Sequence, residues 1–470
     1  MAVSDRCDLL VRNAHVLTVD AERHVYPNGA VAISGRDIVA VGPEAQVTAA
    51  YRGDRVIDAR GALVHPGFVE SHYHTGLHFT RAAISDAPHA VSPSGGSDGQ
   101  IGLYSAWFNL LGEEGEYASA LLSCVEMVRN GITCFLEPGT VLDSDQVAAA
   151  ATAVGIRASL CDPFIWDYSA DLAMADEIER APATLERCLD ALGGELRRNA
   201  DPDALVRGHV GLYGMSTFTD ELAQAAKRCA DEGGVVLTLH QNFEPADTEA
   251  DDKRFGRPAV EHLNELGILG PMTTLAHMNV LRYGEIVALA ETGSAIVWHP
   301  GNFLFYGIAD GVRCRMPELA ERGIPIGFMT DAAKAWSFGE MGWVGYLTAR
   351  MGNDYLPAEQ ILEMQTIGGA RAVGLQDRIG SLEPGKRADL VIRSDRLPEA
   401  YPGMDPVRAA VLVSRSKSVH TVVIDGEIVV RDGRLTRLDE DVAYELAARE
   451  TDRLADALDL KAPSPWPEVR

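Results

Sequence analysis

Eight short apolar runs punctuate the middle of this chain, and each stops at a polar residue. Residues 67–71 lead into His72, 132–136 end at Glu137, and 156–161 end at Asp162. The fourth run, 205–208, meets His209 and continues through 210–212 to Tyr213. The remaining four end at His240, His277, His299 and Asp331. Stretches of helical period lie between them. Strands alternating with helices predict βα units on a parallel sheet. Eight units fit a (β/α)8 TIM barrel, an α/β fold whose active site lies at the C-terminal ends of its strands. The polar residues that end the runs would then gather at one mouth.

The two ends of the chain have a different texture. Short strand-like runs at 8–12, 15–19, 30–33 and 38–41 are broken by turns at Gly35, Gly42 and Gly53. Runs at 388–392 and 420–424 match them, and Asp425-Gly426 signals a hairpin into 427–430. Both ends together predict one small β domain. The expected divisions are 1–62 for its N-terminal part, 63–378 for the barrel, 379–436 for its C-terminal part, and 437–470 for a helix and tail. Residues 75–113 form a long insertion after the first barrel strand, with a Ser/Gly-rich centre at 91–99. Beside His72 and His74 it reads as a lid.

Side chains two apart on a strand share a face, so His72 and His74 can reach one metal. With His240 and Asp331 they make three imidazoles and a carboxylate, a set suited to zinc, iron or cobalt. Glu137 and Asp162 are candidates for capping the mouth or orienting a histidine ligand.

The segment Pro66-Gly67-Phe68-Val69-Glu70-Ser71-His72-Tyr73-His74 resembles the opening metal motif of the amidohydrolase superfamily. Ile379-Gly380-Ser381-Leu382-Glu383-Pro384-Gly385-Lys386-Arg387-Ala388-Asp389-Leu390 resembles its signature on leaving the barrel, and Thr330-Asp331 its last-strand ligand. The resemblance covers nearly the whole chain. It implies a metal-activated water, a β-sandwich made from both ends, a homo-oligomer, and hydrolysis at carbon, most often of a C–N bond. Within the superfamily the details resemble the branch of aromatic deaminases and triazine chlorohydrolases. Binuclear members carry a lysine at the fourth strand's end. Residues 205–220 contain none, so one divalent metal per chain is expected, zinc first, with iron, cobalt or manganese as alternatives. His277 matches the sixth-strand histidine that contacts the water or substrate.

One departure redirects the functional reading. Ring deaminases of this branch place a glutamate three residues after the fifth-strand histidine; here Phe243 stands there, and the nearest carboxylate is Glu244. The amides Gln241 and Asn242 do not transfer protons as a carboxylate does. The expected reaction is therefore cleavage of an amide, urea, carbamate or thiocarbamate outside a ring, as in the superfamily's molinate and phenylurea hydrolases. The alternative is a deaminase or dehalogenase of an aromatic N-heterocycle, with Glu244 or another acid as relay. Asp331 is the expected general base. The metal or His277 polarises the carbonyl, and Asp331 or His277 returns the proton. Aromatics near strand ends and in the insertion predict a small apolar or aromatic substrate, with Trp107, Phe243, His299, Asn302 and Lys334 as contacts and Lys334 placed to meet a carboxylate or carbonyl.

Composition narrows the setting. A net charge of −26 without a basic cluster disfavours nucleic acid and anionic membrane as partners. No apolar stretch approaches the ~20 residues of a bilayer span. Seven scattered cysteines without CxxC spacing, and an N-terminus without a secretory pattern, predict a cytoplasmic protein with reduced thiols.

Overall fold

The apolar runs become the staves of a barrel. The computed structural model describes residues 5–83, 98–168, 178–459 and 466, except positions 329, 333, 335, 353, 395, 403 and 404. Its first three barrel strands are Phe68–Glu70, Ile132–Leu136 and Arg157–Leu160. The fourth is interrupted at His209, giving Val206–Gly208 and Val210–Gly214. Strands five to eight are Leu237–Gln241, Thr273–His277, Ala295–Trp298 and Ile326–Phe328. All neighbouring pairs are parallel. The interruption lets one strand serve two partners: Val206–Gly208 pairs with the third strand and Val210–Gly214 with the fifth. Closure comes from the amide of Ser71, which donates to the Phe328 carbonyl at 3.1 Å. Seven of the eight strands are buried at every residue, as expected where helices cover one face and packed side chains fill the other.

The two chain ends meet in one mixed nine-stranded sheet. Its long first strand, Asp5–Leu17, pairs antiparallel with Val25–Ser34 and parallel with both Tyr51–Asp58 and Leu63–Pro66. Leu390–Arg393 then pairs antiparallel with Leu63–Pro66 and with Val419–Ile424. The predicted hairpin at Asp425-Gly426 joins Val419–Ile424 to Glu427–Arg431. Leu9, Val31, Ile38, Leu390, Val423 and Ile428, drawn from both ends, share one core. Leu63–Pro66, which lies beyond the expected boundary at 62, belongs to this sheet. Only Gly67 separates it from the first barrel strand, and a Cβ there would meet the Thr133 side chain at 2.0 Å.

An ion triad, buried at Arg157 and Asp389 and half-buried at Asp425, locks the two units together. Arg157 on the third barrel strand reaches Asp389 and Asp425, both at 3.1 Å, and the amide of Asp425 donates to Asp389 at 2.8 Å. The second signature segment thus earns a structural role through Asp389.

Of the insertion after the first strand, the described parts are a turn at Thr75–Leu77 and helices Thr80–Ala83 and Asp98–Arg129. The expected lid centre falls almost wholly outside the described residues. The long helix bends at Gly112, whose φ of 64° is open to glycine at little cost. Tyr104, Trp107 and Phe108 on its first half pack in one cluster with Ala447, Leu454 and Ala455 of the C-terminal helix Glu440–Ala457. Among the described residues no helix is long and apolar enough to cross a membrane, and all seven cysteines are free.

Candidate metal centre

Four side chains converge at the C-terminal mouth of the barrel. His72 and His74 follow the first strand, His240 lies on the fifth and Asp331 follows the eighth; all are buried. Their donor atoms lie within 4.8 Å of one another. His74 Nε2 is 3.3 Å from His72 Nε2, 3.4 Å from His240 Nε2 and 3.2 Å from Asp331 Oδ1, and His72 Nε2 is 3.5 Å from Asp331 Oδ1. Donors bound at ~2.0–2.1 Å around one tetrahedral ion stand about 3.4 Å apart. The spacing therefore fits a single divalent metal. Among the described residues it is the only buried group of this kind.

Register between the first and last strands is fixed by Glu70. Its carboxylate accepts the amide and the hydroxyl of Thr330, each at 2.7 Å. The amide of Asp331 donates to the His72 carbonyl at 3.2 Å, and that of His74 to the Asp331 carbonyl at 2.9 Å. Asp331 itself sits at φ 66° and His277 at φ 80°. Non-glycine residues are held so only where surrounding structure enforces it, and such strain gathers at functional sites.

Hydrogen bonds set which imidazole nitrogen faces inward. Thr140 donates its hydroxyl hydrogen to Glu137 at 2.7 Å, so its oxygen accepts from His74 Nδ1 at 2.8 Å. His240 Nδ1 donates to the Tyr213 carbonyl at 2.6 Å. Both rings then present an Nε2 lone pair to the centre. Burial, followed by the neighbouring histidines, holds His72 well below the usual histidine range; burial and His74 lower His240 to about 4. Neutral imidazoles are the form that binds a metal. Burial pushes Asp331 up while Lys334 pulls it down, and the net direction is well below the usual carboxylate range.

The sixth and seventh strands supply a histidine pair. Asn279 Nδ2 donates to the Phe243 carbonyl at 2.8 Å and points its other hydrogen at His299 Nε2, 3.3 Å away. His299 Nε2 is thus an acceptor, and His277 Nδ1 donates to it at 2.6 Å. His277 is left with an unprotonated Nε2, and it lines the cavity beside the four donors. A neutral ring in this tautomer offers a lone pair at Nε2.

The cavity is bounded by Leu77, Tyr104, Phe108, Phe243, Tyr306 and Lys334 together with His74, His240, His277 and Asp331. Phe243 packs on His277 with ring centres 4.8 Å apart. Of the expected substrate contacts, Phe243 and Lys334 reach the wall. Trp107 does not: it is fully buried, and its indole N–H donates to the Gly76 carbonyl at 3.0 Å. His299 and Asn302 lie one layer behind, against His277 and Asp331 respectively. Asn302 donates to Asp331 and accepts from Lys334 Nζ at 3.0 Å. Glu244 N-caps the helix Pro245–Phe255, in a capping box with Asp247, and is not among the lining residues. Gln241 and Asn242 turn away, to Asp251 and Glu285. Asp162 accepts the amides of Gly193 and Glu195 and caps that turn. Thr140, Tyr104 and the Tyr213 carbonyl were not legible in the sequence; only Glu137, three residues before Thr140, hinted at a support for His74.

Comparison with known proteins places this geometry. The profile of the Amidohydrolase family matches residues 63–429. A 5-methylthioadenosine/S-adenosylhomocysteine deaminase of Syntrophobacter fumaroxidans is 32% identical over 448 residues, 94% of this chain and 97% of its own. A 5'-deoxyadenosine deaminase of Methanosarcina mazei is 28% identical, over 95% of this chain and 98% of its own. Among solved structures, a zinc-bound adenosine deaminase from Xanthomonas campestris superposes with a TM-score of 0.84 at 24% identity, covering 97% of this chain and 100% of its own. The zinc complex of atrazine chlorohydrolase from Arthrobacter aurescens gives 0.81 at 23%, covering 94% and 100%.

Proposed function

From the premise that this chain belongs to the amidohydrolase family, and is a metal-dependent hydrolase of carbon–nitrogen bonds other than peptide bonds, we propose that it cleaves an amide, urea, carbamate or thiocarbamate outside a ring. The substrate is a small molecule with an apolar or aromatic body. One observation carries the reading: among the described residues lining the cavity, Asp331 is the sole carboxylate. The position that would hold a second, proton-relaying carboxylate is Phe243, whose ring faces His277. Ring deamination needs protons delivered both to a ring nitrogen and to the leaving amine. Exocyclic C–N cleavage needs only the second.

His72, His74, His240 and Asp331 are the ligands in this reading, and the ion is zinc. When bound, it supplies a water whose pKa falls to about 7. Asp331 takes the water's proton on its carboxylate, which Asn302 holds in place. His277 accepts a hydrogen bond at Nε2 and orients the nucleophile; once protonated, it or Asp331 delivers the proton to the leaving nitrogen or sulfur. Phe243 and Tyr306 exclude water from the scissile group. The native assembly in this reading is a cytoplasmic homo-oligomer, which light scattering checks directly.

A second reading follows from the relatives named as deaminases of adenosine derivatives. The test sets the two side by side. Zinc-loaded protein is assayed for amine release from anilides, phenylureas, N-aryl carbamates and a thiocarbamate, and for ammonia release from 5'-methylthioadenosine, S-adenosylhomocysteine and 5'-deoxyadenosine. Amine release lost in Asp331→Asn is the expected result. Ammonia release from the nucleosides, with no turnover of the amide panel, would replace the first reading with the second.

A further inference from the structure

Lys334 is a cation in an unusual place. It is 4% exposed, yet it lines the cavity that reaches three of the four metal-ligating side chains, His74, His240 and Asp331. Asn302 Oδ1 at 3.0 Å and the Ala332 carbonyl at 3.4 Å take two of its three N–H bonds. None of the described carboxylates forms an ion pair with it. Asp331 offsets its charge only at a distance, through Asn302, so burying the ammonium remains unfavourable. The rings of Tyr306, Phe305 and Trp336, centred 5.0, 5.7 and 5.9 Å from Nζ, offset part of that cost. Burial lowers its pKa to about 8, with Asp331 opposing the shift. With a divalent ion, three neutral imidazoles and Asp331, the filled site is net positive before any charge on Lys334 is counted. The overall acidity of the protein acts at longer range, where salt screens it beyond ~10 Å.

We propose that this cavity selects substrates bearing a carboxylate beside an apolar or aromatic body, and that Lys334 is the group that holds the carboxylate. Tyr104, Phe108, Phe243 and Tyr306 supply the wall for the body. The anion completes the coordination of Nζ and reduces the positive charge of the site. The proposal rests on this cavity being the substrate site of the hydrolase above, and does not depend on which C–N bond is cut.

The test is binding, read by isothermal titration calorimetry, of benzoate and of its uncharged isostere benzamide. Zinc-loaded wild type is compared with Lys334→Met and Lys334→Arg. Wild type is expected to prefer benzoate by at least about tenfold, the scale of a charge-assisted hydrogen bond. Lys334→Met should erase the preference and Lys334→Arg should retain most of it. Because a carboxylate also binds metal, the series is repeated on chelator-treated protein, where the dependence on Lys334 must persist. Equal preference in wild type and Lys334→Met, or no preference in wild type, overturns the proposal. If no amide-type compound is hydrolysed while benzoate binding still follows Lys334, the reading of the reaction falls and this one stands.

Discussion

Glu70 on the first barrel strand accepts two hydrogen bonds from Thr330, just past the eighth, through its amide and its hydroxyl. The clasp closes the barrel one step below the metal-ligating side chains. Glu70→Ala leaves both buried donors unsatisfied, which costs about 2–6 kcal/mol at ~1–3 kcal/mol each. It also frees His72 and His74 from their register with Asp331. We expect a lower melting temperature together with a reduced metal content. A variant that melts like wild type and keeps its full metal would show that closure does not depend on this pair.

Thr140 passes its hydrogen to Glu137 and so forces His74 to donate from Nδ1. Thr140→Val keeps the shape and removes the acceptor. Outer partners of this kind are worth ~10–100-fold in metal affinity. Competition with a zinc chelator measures it, and unchanged affinity would remove Thr140 from the site.

His299 fixes the tautomer of His277. In His299→Ala, His277 loses its Nδ1 acceptor and can present N–H to the nucleophile instead of a lone pair. Turnover should fall by about 10–100-fold while metal content stays at the wild-type level. A fall in metal and turnover together would instead make His299 a support of the metal ligands.

Glu116, on the long helix after the first strand, is buried and accepts the amides of Leu142 and Asp143 at 2.7 and 2.6 Å. Burial, opposed by these bonds, raises its pKa from 4.5 to about 7. The folded state therefore binds a proton more tightly than the unfolded chain. Its stabilising contribution is full below pH 4.5 and lost as pH rises through 7, about 3 kcal/mol in scale. Urea unfolding at pH 5 and pH 8 should show wild type losing more stability than Glu116→Gln over that interval. Parallel losses would contradict the assignment.

The barrel was legible because its strands are buried on both faces and so read as unbroken apolar runs. The four donors were legible because each run stops where its side chain turns into the mouth. What supports them was not. The Tyr213 partner of His240 is a backbone carbonyl, invisible to residue type, and Thr140 reaches His74 from a loop. The aromatic residues misled for a related reason. Size says that a side chain will be buried, not whether it faces a cavity, so Trp107 packs into the core while Tyr104, one helical turn earlier, lines the site. The parallel pairing of Asp5–Leu17 with Leu63–Pro66 joins segments that no hairpin signal links.

The helix that gives Tyr104 and Phe108 to the cavity is braced by Ala447, Leu454 and Ala455 from Glu440–Ala457. A side wall encoded in the first quarter of the chain is thus finished by residues from its last tenth. During synthesis the eight strands can emerge and assemble in order, yet the wall facing the metal stays unbraced until this last helix leaves the ribosome. Chains cut short by premature termination would then carry every ligand and still lack a shaped site.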